Sequence, residues 1–99
     1  MAKGVRITRK IAENLAIQAL GLLASNPERL GAFLAATGIG PEAIRKAAAE
    51  PSFLAGVLDH VCGDEPLLLA VAEHAGVTPQ EIEHAQAVLS GRPWQREVP

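Results

Sequence analysis

The chain has 99 residues, 48% of them apolar, with one cysteine, two Phe, one Trp, no Tyr and a formal net charge of −2. That length fits one domain. The lone Cys62 excludes an internal disulfide and suits a reducing cytoplasm, and no apolar run approaches the roughly 18 residues of a membrane span. Ala and Leu are abundant while strand-favouring residues are scarcer, so the expected class is all-α.

The opening MAKGVRITRK is basic and is followed by apolar residues, in the order of an export signal. Glu13, Asn14 and Gln18 interrupt the apolar stretch too early for that reading. Residues 1–7 are therefore expected to be a basic flexible arm, 8–91 a single helical domain and 92–99 a tail without periodicity. The first helix is expected over 8–24, with Asn14, Gln18, Gly21 and Ser25 as a narrow polar stripe on an otherwise apolar cylinder, as in a helix central to its bundle. Asn26 as N-cap and Pro27 at the first helical position open a second helix over 27–37. Its inner face reads Leu30, Phe33, Leu34 and Thr37, and Gly38 closes it.

Helices over 41–49, 51–62, 65–75 and 79–90 follow. GIGPEAIRKA, from Gly38, returns 38 residues later as GVTPQEIEHA, from Gly76. In the second copy Thr78 and Glu81 form a capping box, Pro79 opens the helix, and Val77 and Ile82 form a hydrophobic staple. In the first copy Ile39 and Ile44 make the staple and Gly40 replaces the capping Thr. The same offset aligns Asn26 with Asp64, Leu20 with Leu58, Leu30 with Leu68 and Ala47 with Ala85. The expectation is a compact six-helix bundle readable as two successive three-helix units, with the repeated stretch a structural corner.

LAIQALGLLASNPERLGAFLAATGI and FLAGVLDHVCGDEPLLLAVAEHAGVTPQEI together resemble a family of small, uncharacterised bacterial proteins of alphaproteobacterial type. The resemblance implies an all-helical unit and supplies no activity, ligand or catalytic residue. VAEHAGVTPQEIEHA is also similar to the helix-turn-helix of DNA-binding repressors, whose second helix meets base edges in the major groove. Here that helix would present Gln80, Glu81, Glu83 and His84 to a polyanion, which opposes the phosphate neutralisation that supplies non-specific affinity.

The small net charge conceals strong polarity. Residues 1–10 carry +4, residues 11–49 balance, residues 50–91 carry −7 with no Lys or Arg, and the tail carries +1. Such an acidic half repels nucleic acid and membrane phosphates and attracts basic protein surfaces. His60, Cys62, His74 and His84 lie in that half, but no two share the i, i+3 or i, i+4 spacing of a helical metal clamp. His60 and Cys62 point about 200° apart on a helix. Cys62 reads as a small buried hydrophobe, and Ser25, Ser52 and Ser90 stand at helix boundaries where capping accounts for them.

No catalytic spacing, metal set or cofactor motif emerges, and no enzymatic activity is assigned. The expected function is that of a cytoplasmic protein-interaction or regulatory module, using an apolar groove and an acidic face with Glu73, Glu81, Glu83 and Trp94 as partner-binding residues. A second copy of the chain is among the possible partners, and a membrane is not. The alternative is a nucleic-acid-associated protein using Arg6, Arg9, Lys10, Arg45 and Lys46.

Overall fold

A computed structural model describes residues 7–91; Arg6, the arm before it and the tail with Trp94 lie outside the described residues. The helices are α1 (Arg9–Ala24), α2 (Pro27–Thr37), α3 (Ile44–Ala47), α4 (Pro51–Cys62), α5 (Glu65–Ala75) and α6 (Pro79–Leu89), with one 3-10 turn at Pro41–Ala43. No strand occurs among the described residues. α1 is the hub, packing against α2, α4, α5 and α6, while α4 and α6 close on each other. Its Ala12, Ala16 and Ala19 are fully buried; such small side chains let neighbouring helices approach closely. Ile7 also lies in the core, so the packed domain begins just ahead of Thr8.

The sequence punctuation works as hydrogen-bond chemistry. Thr8 Oγ1 accepts from the Ile11 N–H at 3.1 Å. Asn26 Oδ1 accepts from the N–H groups of Glu28 and Arg29 at 3.0 and 3.1 Å, and Asp64 Oδ1 from Leu67 N–H at 3.3 Å. At α6 the capping box is complete. Glu81 N–H donates to Thr78 Oγ1 at 3.1 Å, and Thr78 N–H donates back to Glu81 Oε1 at 2.8 Å. These bonds satisfy amides that the helix itself leaves without a partner. Replacing Thr78 with alanine is expected to lower stability by about 1 kcal/mol, measured as a shift of the urea midpoint with an unchanged slope.

The two corners share a left-handed glycine and then diverge. Gly38 and Gly76 have φ of 75° and 73°, a region that costs an L-residue about 1–2 kcal/mol and glycine almost nothing. After Gly76, Val77 N–H bonds Ala72 C=O and Gly76 N–H bonds Glu73 C=O, the paired bonds of a Schellman ending. Gly38 N–H makes one such bond, to Leu34 C=O.

Beyond the first corner the expected helix over 41–49 is cut to a 3-10 turn and the four residues of α3. Gly40 offers no side-chain oxygen and no side chain caps α3. At the other end, Pro51 pushes Glu50 out of helical geometry, to φ −101° and ψ 129°. The third helix of the second unit runs for eleven residues, so the likeness between the halves stops at their corners.

Candidate functional site

The residues with chemical character gather along α4, α5 and α6. On α4 and α6, Gln86 is 9% exposed and its Nε2 donates to Asp59 Oδ1 at 3.2 Å and to Ser90 Oγ at 3.4 Å. One turn on, Cys62 of α4 lies in the electrostatic field of Glu83 of α6. Asp59 with Gln86, then Cys62 with Glu83, sets the two helices antiparallel across a seam edged by carboxylates.

The seam does not make a nucleophile. Burial first, then the negative charges of Glu83 and Asp59, push the Cys62 thiol from its ordinary 9.0 up to about 11. The thiolate is the reactive form, so at pH 8 alkylation of Cys62 should be about tenfold slower than that of an unperturbed thiol. That factor sets a hundredfold smaller thiolate fraction against the higher nucleophilicity of the more basic sulfur. The stability linkage follows the same sign. The folded state holds the proton more tightly, so this contribution is intact below pH 9.0 and is lost as pH rises towards about 11. An alkylation rate equal to that of a free cysteine would contradict the placement of Cys62 beside two carboxylates.

The three histidines stay apart in the fold. His60 of α4 is half-buried with its ring edge-on to Phe33 at 5.2 Å, His74 is exposed at the end of α5, and His84 is half-buried on α6. Among the described residues no group of three or more His, Cys, Asp or Glu side chains is placed to hold a metal ion.

The expected partner-binding residues separate into three situations. Glu81 is half-buried and its carboxylate is engaged in the capping box. Glu83 is exposed on the seam, and Glu73 is exposed on α5. Trp94 lies outside the described residues. Sequence periodicity did not single out Leu69, which is 50% exposed on α5. It stands one turn after Glu65 and one turn before Glu73, so the three share one outward face.

Glu73 occupies the last turn of α5 and Asp59 the last turn of α4. A carboxylate there faces the negative end of the helix dipole, which disfavours it by about 0.3–1 kcal/mol. Neither helix gains from that charge. Glu65, in the first turn of α5, is by contrast favoured by the same dipole.

On the basic side, Arg9 and Lys10 are exposed in the first turn of α1, again the end that disfavours their charge. Arg45 and Lys46 are exposed on α3, where the dipole favours them. α3 packs mainly on the 3-10 turn before it and makes no extensive contact with α1. Among the described residues no helix is long and apolar enough to cross a membrane.

No curated protein and no solved structure matches the chain. One family profile does match, over residues 9–92, from the first residue of α1 to just past the end of α6. With nearly all of the helical unit covered, the chain belongs to the family described as Protein of unknown function (DUF3572).

Proposed function

We propose that the chain is a small protein-interaction module of the cytoplasm, taking a basic segment of a partner on the outward face of α5. The observation that carries this reading is Leu69, half-exposed between Glu65 and Glu73. An apolar contact framed by like charges suits a segment with an apolar anchor and flanking Lys or Arg. Glu50, Asp59, Asp64, Glu65, Glu73 and Glu83 are all exposed, and residues 50–91 contain no Lys or Arg. Glu73 adds weight because its own helix is less stable for its presence. A solubilising charge has no need of that position.

Capture from native extract at rising salt tests the reading. A specific partner should be retained at low salt, progressively lost as salt screens the carboxylates, and absent when Leu69 is replaced by lysine. Retention by the lysine variant would overturn the α5 face as the binding surface.

One observation favours the nucleic-acid reading as a second possibility: Arg9 and Lys10 sit at the unfavourable end of α1, so their charge serves something other than the helix. Titration of random-sequence DNA separates the two. Affinity that falls steeply with salt and disappears on replacing Arg9 and Lys10 by glutamine would support it, and no binding at low salt would remove it.

A further inference from the structure

We propose that a second copy of the chain is a partner of the α5 face, laying its own α1 antiparallel along it so that Ile17 meets Leu69 and Lys10 meets Glu73. The inference rests on the α5 face being a binding surface, as proposed above, and names its occupant. Among the described residues the exposed large apolar side chains are Ile11, Ile17 and Leu69. Ile11 is turned about 120° round α1 from Ile17. Ile17 and Leu69 are 52% and 50% exposed, each on the outward face of its own helix. On α1, Lys10, Asn14, Ile17, Gly21 and Ala24 follow at spacings of four, three, four and three, so they share that face. All five are exposed, while Glu13 at the edge of the face is half-buried.

Charge selects both the occupant and its direction. Arg9 and Lys10 lie in the first turn of α1 and Glu73 in the last turn of α5, each disfavoured by the dipole of its own helix. Antiparallel pairing of the two helices between copies reverses both effects. Glu73 then faces the positive N-terminal end of the other copy's α1, and Arg9 and Lys10 face the negative C-terminal end of the other copy's α5. The spacing agrees. Glu73 lies about 6 Å along its helix from Leu69, and Lys10 about 10 Å from Ile17, a difference that the long Lys10 side chain spans. On the other side of the apolar contact, Gly21 comes opposite Glu65 and Pro66. A Cβ on Gly21 would meet nothing within 4 Å in the single chain, so its bare backbone leaves room for a neighbouring helix. A two-fold axis makes the contact twice, because α1 gives to the other copy's α5 what α5 receives in return. Within the chain α1 and α5 pack on each other, which keeps the two contacts near that axis.

Sedimentation equilibrium of the purified full chain, from micromolar to millimolar concentration, tests the pairing. At low salt the apparent mass should rise towards twice that of one chain, and high salt should bring it back down. Lys10→Glu and Glu73→Lys should each weaken the dimer about tenfold, because symmetry repeats the clash of like charges. Both substitutions suit the dipole of the helix that carries them, so unfolding does not account for the loss. An equimolar mixture of the two variants should recover the affinity of the unaltered chain, since each reversed charge then meets an opposite one. The mass of one chain at every concentration would overturn the inference, as would a dimer that neither substitution weakens or that the mixture fails to restore. If the purified chain stays single while it still captures a partner from extract and Leu69→Lys does not, the α5 face stands and its occupant is not a second copy.

Discussion

Replacing Phe33 with alanine is expected to remove about 3–5 kcal/mol of stability, a large share of the roughly 5–15 kcal/mol available to a domain of this size. The expectation rests on how α2 is held. Phe33 is its one buried residue, fully enclosed, while Leu30 and Leu34 are half-buried and Gly31, Ala32, Ala35 and Ala36 are exposed. The ring meets Phe53 edge-on at 5.8 Å and His60 at 5.2 Å, geometry that adds to the area term. Without it a cavity opens between α2 and α4 that half-exposed leucines cannot fill. At about 4–8 °C per kcal/mol, the thermal midpoint should fall by at least about 12 °C. A shift of a few degrees would show that α2 is anchored elsewhere.

A paired truncation separates what holds the fold from what the surface is for. Leu58 is fully buried on α4, the helix that packs against both α1 and α6. Leu58→Ala should cost about 2–5 kcal/mol, from lost transfer energy and the cavity left behind. Leu69→Ala deletes the same atoms from a side chain that is 50% exposed. There the loss is under about 1 kcal/mol, because part of the side chain is already in water and alanine is the better helix former. The check is urea unfolding of both variants with equal slopes. Similar midpoints would contradict the assignment of Leu58 to the core and of Leu69 to the surface.

Much of this architecture is readable from local chemistry. Asn26, Asp64 and Thr78 cap the helices they precede in the sequence, Gly38 and Gly76 take the left-handed turn, and Thr78 with Glu81 closes a capping box. The outward stripe of α1 is also legible in part. Asn14, Gly21 and Ser25 are exposed, and Gln18 Nε2 donates to Asn14 Oδ1 at 2.7 Å.

Where the prediction overreached, the cause was non-local or a missing cap. The helix expected over 41–49 followed from likeness to the second corner, and the first copy lacks both members of the capping box, with Gly40 in place of Thr78 and Ala43 in place of Glu81. Ile17 is apolar yet 52% exposed, which periodicity cannot reveal because it counts residue types and not neighbours. The Asp59–Gln86 bond joins positions 27 apart, and no sequence spacing announces it. Leu69 was hidden for a related reason: within LLLAVA every residue reads as core, and only the packed helices show which one is left outside.

Capture by a Glu73→Lys variant, set beside its thermal unfolding, tests most directly whether the α5 face exists for binding. Reversing that charge places a cation at the end of the helix that favours one, so stability should rise by about 0.3–1 kcal/mol. The same change should abolish retention of the partner that the unaltered chain holds at low salt. A variant that is more stable and still holds its partner would contradict the account, and so would one that loses the partner only because it unfolds.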